Sequence, residues 1–331
     1  NSYDGNTIVD GPNSFLALAR EQALGNGQLE LSGLGGLRLL TDTDDLLPIL
    51  LSNGGGTIDT GVFQVVSSGA ITGAAASDGL RILGSGTLIL TGENAYTGLT
   101  DIAEGVLQLG QGGTTGSLVG DIHIGQGARL DVHRDGVLTL DGRINGAGSI
   151  VMDGPGVLQF SGSHMNLFTG GLRVQQGYVG FDAEALLGLG PVTLDGGGLL
   201  FGSNLRADLE IDSGGGELRV DGPDAFELRG DTFGTGDLLK SGDGTLVFTG
   251  VAEHSGSTHV AEGVLQVGEG LRGVLASDVT VDAGAALAFG RDDLSGYAHT
   301  ISGEGGVIMR GAGELVMLTD QQYTGGTRIE S

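Results

Sequence analysis

Apolar and polar residues alternate in short runs along this chain, which is the pattern of β-strands with one buried face. The clearest alternating pairs are Leu88/Leu90, Leu158/Phe160, Leu246/Phe248 and Leu315/Met317. Further strands are predicted at Val106–Leu109, Asp121–Ile124, Arg129–Val132, Val137–Leu140 and Ser149–Met152. Gly, Asn or Asp separates these runs, because tight turns need residues that accept positive φ.

Helical patterns are weak. The candidates are "SFLALAREQALG" from Ser14 and "GFDAEALLGLG" from Gly180. Each is predicted to be either a turn of helix or a loop between strands.

One motif recurs four times. It opens Gly-x-Gly, continues as an alternating strand, and reaches an aromatic residue followed by a glycine. The copies open at Gly84, Gly154, Gly242 and Gly311, and the aromatic position is held by Tyr96, Phe168, His254 and Tyr323. Two copies also share a downstream segment, "AEGVLQLG" from Ala103 and "AEGVLQVG" from Ala261. Repetition of this kind is typical of stacked architectures.

Short strands joined by glycine turns fit an antiparallel sandwich or a parallel β-helix. A sandwich gives no reason for near-identical strands, whereas a β-helix stacks like residues above one another. The sequence therefore predicts an all-β fold, a parallel β-helix of roughly 15 coils of about 20 residues each. We expect one continuous domain over residues 1–331, with copies near 84–110, 154–181, 242–268 and 311–331. Because "NSYDGNTIV" and "QQYTGGTRIES" both read as partial copies, we also expect a fragment of a longer protein.

The repeat pattern Gly-x-Gly-x-Leu-x-Leu-x-Gly, then Tyr-Thr-Gly-x-Thr-x-Ile and Gly-x-Leu-x-Leu-Gly, resembles the passenger-associated strand repeat of bacterial autotransporters, in the adhesin class of AIDA and antigen 43. Residues 84–110 match at almost every position. Residues 242–268 carry "HSG" in place of Tyr-Thr-Gly, while 154–181 are degenerate and 311–331 are truncated. The resemblance implies a right-handed β-helix at the surface of a Gram-negative bacterium. It also implies export through a C-terminal membrane barrel, expected to lie outside this chain.

Passengers that this pattern resembles act as adhesins, as self-associating surfaces or as stalks for display. The resemblance therefore implies three kinds of partner: another copy of the chain, a host protein or glycan, and the chain's own membrane barrel. The alternative function is a β-helical enzyme that cleaves polysaccharides, a lyase or hydrolase. No catalytic, cofactor-binding or metal site is predicted, and no cofactor.

Charge narrows the partners further. The 331 residues carry 41 acids against 15 bases, a net charge of −26, with Lys240 the only lysine. Nucleic acids and anionic membrane surfaces attract basic proteins, so neither is expected as a partner. The chain has no cysteine, which excludes disulfides and cysteine-ligated metal. Its longest apolar stretch, "LLPILL" from Leu46, is too short to insert into a membrane as a helix.

Three groups of residues are the candidates for chemistry. His123, Asp131 and His133 alternate with apolar neighbours, so all three are predicted to face outward, mostly as ordinary surface residues rather than a metal or acid–base site. The acidic run "TDTDD" at 41–45 is similar to the carboxylates of pectin-cleaving β-helices, but "Gly-His-Gly" and "Asn-Thr-Asp" motifs are missing. Tyr96, Phe168 and Tyr323 are predicted to cover the turns rather than to stack on sugars.

Calcium and phosphate motifs are incomplete. The stretch "SGDGTLVFT" from Ser241 comes nearest to a calcium-binding nonapeptide but lacks the aspartate at its sixth position. "NGGGTIDT" from Asn53 has an aspartate in the wrong frame. We expect loose cation binding by the acidic surface rather than a specific calcium site.

Overall fold

The computed structural model describes residues 4–330; Tyr3 of the opening partial copy and Ser331 lie outside the described residues. The chain forms two compact units. The first runs to Leu172 and includes Gly188–Gly190; the second comprises Arg173–Leu187 and the chain from Pro191 onward. Strands and two short 3₁₀ turns account for the regular structure, and residues 4–330 contain no α-helix.

The first unit contains short strands and one 3₁₀ turn, η1 (Glu21–Leu24). The strands are β1 (Thr7–Asp10), β2 (Phe15–Leu18), β3 (Leu29–Ser32), β4 (Gly36–Leu39), β5 (Ile49–Ser52), β6 (Gly56–Asp59), β7 (Gln64–Ser67), β8 (Ile71–Gly73), β9 (Leu80–Leu83), β10 (Thr87–Leu90), β11 (Thr100–Ile102), β12 (Val106–Leu109), β13 (Ile122–Ile124), β14 (Arg129–Val132), β15 (Val137–Leu140), β16 (Ile144–Gly146), β17 (Ser149–Met152), β18 (Val157–Phe160) and β19 (Leu167–Phe168). Strand β20 (Leu172–Val174) falls at the boundary.

The second unit has the same texture, with η2 (Glu184–Leu187) as its 3₁₀ turn. Its strands are β21 (Tyr178–Phe181), β22 (Val192–Leu194), β23 (Gly198–Phe201), β24 (Leu209–Ile211), β25 (Gly216–Arg219), β26 (Ala225–Leu228), β27 (Thr232–Gly234), β28 (Leu238–Ser241), β29 (Thr245–Phe248), β30 (Val251–Ala252), β31 (Thr258–Val260), β32 (Val264–Gly270), β33 (Val274–Leu275), β34 (Val279–Val281), β35 (Ala286–Arg291), β36 (Leu294–Tyr297), β37 (Ile301–Gly303), β38 (Gly306–Arg310), β39 (Glu314–Met317), β40 (Gln322–Tyr323) and β41 (Thr327–Ile329).

The strand ladders are parallel, and each strand pairs with one about 20 residues further along the chain. This register stacks like residues inside each unit. In the first unit Leu88, Leu107, Leu130 and Ile150 form one buried column. In the second unit Leu246, Leu265, Leu287 and Val307 do the same. Burial of these aliphatic columns against one another is the main source of stability, since no single coil can cover its apolar face.

Glycines mark the places where successive coils come closest. A Cβ at Gly98 would lie 2.5 Å from backbone atoms of Asp78 and Gly79, in the coil before it. The glycine that follows the aromatic position is equally constrained in the other copies, at Gly170, Gly256 and Gly325. Only glycine therefore fits this position of the motif.

The all-β parallel solenoid predicted from the repeats is confirmed, with about 15 turns. Its right-handed winding and its continuity as a single domain stay predictions. Of the two helix candidates, the first begins as strand β2 and continues into η1, and the second begins at the end of β21 and contains η2. Within residues 4–330, none of the helical segments has the length and apolar character needed to cross a lipid bilayer.

Candidate functional site

The aromatic position of the repeat points into the solenoid and makes a hydrogen bond four residues along the chain. Tyr96 is fully buried, and burial raises the pKa of its phenol well above the ordinary value. The bonded pairs are Tyr96 Oη with Thr100 Oγ1 at 2.8 Å, His254 Nε2 with Thr258 Oγ1 at 3.1 Å, and Tyr323 Oη with Thr327 Oγ1 at 2.6 Å. These side chains close the corner of a coil from within.

In the second copy of the repeat, both members of this pair are different. Phe168 has no hydroxyl, and the residue four further on is Leu172 rather than threonine. Both side chains are buried. The paired change avoids leaving a buried hydroxyl without a partner, which would cost about 1–3 kcal/mol. The prediction that Tyr96 and Phe168 cover the turn is confirmed, while Tyr323 is half-buried in the last described coil.

His254 extends its corner into a buried polar chain. Its Nδ1 lies 3.1 Å from Thr232 Oγ1, and Thr258 Oγ1 lies 2.7 Å from Ser277 Oγ. Burial lowers the pKa of His254. A neutral imidazole fits this setting, because one ring nitrogen donates and the other accepts. The histidine is therefore a structural member of the interior.

A side-chain amide braces the same corner in three copies, a feature that the sequence analysis did not identify. Each amide oxygen accepts the backbone N–H of an isoleucine in the preceding coil. The pairs are Asn94 with Ile71 at 3.0 Å, Asn166 with Ile144 at 2.8 Å, and Gln321 with Ile301 at 2.7 Å. Ala252 takes the position in the third copy, where β30 pairs directly with β27. The recurrent Asn or Gln two residues before the aromatic is the signal in the sequence.

The only lysine lies in the interior. Lys240 is 1% exposed, at the position filled by Ile82, Met152 and Met309 in the other copies. Its ammonium donates to the carbonyls of Ser241 (2.7 Å), Gly242 (2.8 Å) and Glu262 (3.1 Å), and so joins two successive coils. Burial lowers the pKa of Lys240 to about 8, and nearby carboxylates, that of Glu262 first, oppose the shift.

Acidic side chains connect coils at the turns. Asp121 Oδ1 accepts the N–H of Arg143 at 2.9 Å, and Asp237 Oδ1 accepts that of Ser257 at 2.7 Å. The same contact recurs in both units. The same kind of bond, from a backbone N–H to a carboxylate, joins further pairs. These are Arg206 N–H to Glu184, Asp231 N–H to Asp208, Gly222 N–H to Asp243, Val251 N–H to Asp231, Thr300 N–H to Asp278 and Ala312 N–H to Asp292. Many acids thus stabilise coil stacking, besides any effect on solubility.

The structure does not gather His123, Asp131 and His133 into one site. His123 Nδ1 lies 2.8 Å from Asp101, and His133 Nδ1 lies 3.2 Å from Asp153. Asp131 lies on the outward side of its strand, as predicted, but it is held by Arg129 at 2.5 and 2.7 Å and is mostly buried, so it is not an ordinary exposed residue. Burial raises the pKa of Asp131, and the bonds from Arg129 oppose that shift. The physical reason is the arginine two residues before it, which covers the carboxylate.

The acidic run at 41–45 is part of the coil stacking too. Asp42 Oδ1 accepts the N–H of Gln64 at 2.9 Å, and Asp45 Oδ1 accepts the hydroxyl of Ser68 at 2.6 Å. In the calcium-like stretch, Asp243 accepts the N–H of Gly222 at 2.6 Å. Across residues 4–330 no three histidine or carboxylate side chains converge into a group able to hold a metal ion.

Polar side chains form rows on the outer faces, one per coil. In the first unit Arg81, Asp101 and His123 follow one another along such a row, with Arg81 3.4 Å from Asp101. In the second unit Glu217 accepts hydrogen bonds from Tyr178, at 2.8 Å, and from Ser241. We call these rows the outer polar ladders. They offer hydrogen-bonding groups at coil spacing.

Four segments of the chain match the family model described as "Passenger-associated-transport-repeat", at residues 83–109, 150–179, 238–267 and 307–331. The chain is also similar to the adhesin BmaC autotransporter of Brucella suis biovar 1 (strain 1330), with 49% identity over 63 residues. That match covers 19% of this chain and 2% of the adhesin. No solved structure matches significantly. Together with the solenoid fold, these similarities support an autotransporter passenger built with passenger-associated repeats.

The hydroxyl pair at the repeat corner predicts a coupled effect on stability. Tyr96→Phe leaves the Thr100 hydroxyl buried without a partner, so the free energy of unfolding should fall by about 1–2 kcal/mol. Thr100→Val should lower the free energy of unfolding by about the same amount. The double variant imitates the apolar pair Phe168 and Leu172, so it should recover about 1 kcal/mol relative to the sum of the single changes. Urea unfolding measures all four proteins; strictly additive losses would contradict the pairing.

Because Lys240 is buried, the stability of the protein should depend on pH in the alkaline range. Lys240→Met is the variant for comparison, since Met152 and Met309 hold the same position in other copies. Between the folded-state pKa of about 8 and the ordinary value of 10.5, the unfolded chain holds more protons than the folded chain. Raising the pH through this window should therefore stabilise the wild type relative to the variant, by about 3 kcal/mol. Urea unfolding at about pH 7 and about pH 10.5 measures this; a constant difference would refute it.

Proposed function

We propose that this passenger segment acts outside a Gram-negative bacterium, at the cell surface, as an adhesive or self-associating module. The outer polar ladders carry the proposal most directly. Rows such as Arg81–Asp101–His123 present charged and polar side chains at a fixed spacing, which suits another repetitive surface better than a single small ligand. Its partners would be a second copy of the chain, or a glycan or host protein.

A passive display stalk is the second candidate, favoured by a different observation. Carboxylates such as Asp121 and Asp237 hold each coil to its neighbour through backbone N–H groups. The corner pairs and Lys240 add contacts from the inside. A solenoid reinforced in this way suits a stiff spacer that presents other segments of a longer passenger.

The polysaccharide-cleaving alternative has weaker support. The carboxylates of Asp42 and Asp45 each accept a hydrogen bond from the neighbouring coil, which gives them a structural role. The adhesin named among the comparisons matches only a short part of this chain, and it favours a role in attachment.

Salt-dependent clumping of microbeads coated with the chain tests self-association. With a net charge of −26, coated beads should stay apart at about 0.01 M salt, where electrostatic repulsion reaches about 30 Å. They should clump at about 0.15–1 M salt or with added calcium. Absence of clumping under every condition would contradict self-association and leave the stalk or a heterotypic adhesin.

Two variants of equal charge locate the contact. Arg81→Glu places a second acid beside Asp101 on the outer ladder, so clumping should need several-fold more salt. Arg206→Glu changes the net charge equally on an exposed loop and should behave like the wild type apart from a small general shift. Equal shifts in both variants would mean that net charge alone governs clumping and that the ladder makes no contact.

A further inference from the structure

In the second unit, strand pairing is interrupted between β33 and β36. Strand β33 is the last strand of its sheet, and β36 pairs only with β39 in a two-stranded sheet. Val274 and Leu294 are 20 residues apart, the same offset that pairs Leu294 with Glu314 one coil later. Coil spacing alone therefore predicts that β36 pairs with β33, yet the described residues form no ladder there.

Backbone groups face the interruption from both strands. Val274 and Ala276 donate their backbone N–H groups to β30 and to the residue before it. Because the backbone groups of successive residues in a strand point to opposite sides, the N–H and carbonyl of Leu275 face away from β30. The carbonyls of Asp293 and Tyr297 accept hydrogen bonds from the coil that contains β39. By the same alternation, the backbone N–H and carbonyl groups of Leu294 and Gly296 face β33. Unpaired strand edges of this kind are templates for pairing with another chain.

Side chains bridge the interruption at its two ends. Arg291 Nη1 donates to the carbonyl of Gly273 at 2.7 Å, and the Tyr297 hydroxyl donates to that of Ser277 at 2.6 Å. Between the bridges lies a cavity of about 250 Å³. We call this feature the strand gap, bounded by Gly273–Leu275 and Leu294–Tyr297.

The strand gap is lined by both apolar and polar groups, its mouth is apolar, and one of its hydroxyls has no partner in the structure. Phe289 and Leu315 line it, and the buried Oγ of Ser295 has no hydrogen-bond partner in the structure. At the mouth, Val274 is 47% exposed and Leu294 is 69% exposed. Exposed apolar groups beside unpaired backbone are the features by which proteins bind extended peptides.

The first unit contains a similar bridge, with a buried leucine where the second unit has a serine. Arg134 Nη1 donates to the carbonyl of Gly116 at 2.8 Å, across the same 18 residues that separate Arg291 from Gly273. Four residues after Arg134 comes Leu138, which is buried, whereas four residues after Arg291 comes Ser295. The smaller side chain in the second unit leaves the space open.

We propose that the strand gap binds an extended peptide segment of a partner protein by strand addition. One apolar side chain of the peptide enters the cavity, whose volume is below the ~300–1,000 Å³ of sites for whole drug-sized molecules. The peptide backbone pairs with Leu275 and with Leu294 and Gly296. Exposed acids stand at both ends, Asp278 beside Ser277 and Asp292 beside Arg291, so basic residues flank the apolar one in the preferred peptide.

A labelled peptide of sequence Lys-Thr-Thr-Leu-Thr-Thr-Lys is the probe, added to the 331-residue chain and followed by fluorescence anisotropy. Saturable binding is expected, with slower amide exchange at Leu275, Leu294 and Gly296. A control peptide with proline on both sides of its leucine lacks the N–H groups needed for pairing and should bind at least tenfold more weakly. Failure of the first peptide to bind, or equal binding of both peptides, overturns strand addition.

Ser295→Leu fills the cavity with the residue type that Leu138 supplies in the first unit, and should weaken binding at least tenfold. Its melting temperature should equal or exceed that of the wild type, which separates lost binding from misfolding. Thr280→Leu, an exposed change on β34, is the matched control and should leave binding unchanged. Unaltered binding to Ser295→Leu contradicts the proposed location.

Two other occupants are distinguishable. An apolar dye that binds the wild type but not Ser295→Leu, while the peptide binds neither, would make the strand gap a small-molecule site and overturn the proposal. If the wild type forms a dimer and Ser295→Leu does not, the strand gap binds a second copy of the chain instead of a partner's peptide. The inference does not rest on the proposed adhesive role, because the bead experiment and the peptide experiment use different variants and fail separately.

Discussion

Close approach of one coil's backbone to the next is the constraint on which the rest of the structure depends. Parallel strands lie about 4.8 Å apart, and at the corners the chain turns with no more room than that. A side chain there would meet the preceding coil, as the positions of Gly98 and Gly256 demonstrate. The 68 glycines of the chain are largely a consequence of this spacing. Their flexibility in the unfolded chain costs entropy, which the stacked aliphatic columns must offset.

Polar groups inside the solenoid follow from the same geometry. A turning chain cannot pair all of its backbone groups with the next coil, so side chains take their place. Asn94 accepts an N–H that no strand reaches, and Lys240 donates to three carbonyls. At the turns, acidic side chains on the outside accept backbone N–H groups of the next coil. The repeat is therefore best understood as a corner that fastens each coil to its neighbours.

Much of the fold was predictable from the sequence, because strand alternation and glycine spacing are local signals. Leu88 and Leu107 had to stack once the repeat was recognised. Other features depend on residues a coil away, and a single sequence does not reveal those contacts. The bond from Arg143 to Asp121 needs the register, and the burial of Asp131 needs the rotamer of Arg129. Lys240 replaces an apolar residue, so the pattern marked the position as interior while giving no account of its charge. The strand gap was hidden because Ser295 breaks the alternation without altering the coil length.

Substitution of one repeat glycine tests the central claim most directly. Gly98→Ala places a methyl group 2.5 Å from the backbone of the preceding coil, while Gly113→Ala, on an exposed loop, meets no atom within 4 Å. Urea unfolding should show a loss of at least about 1–3 kcal/mol for Gly98→Ala and a change within about 0.5 kcal/mol for Gly113→Ala. Equal stability of the two variants would mean that coil spacing does not limit the corner, and the account given for the repeat would be wrong.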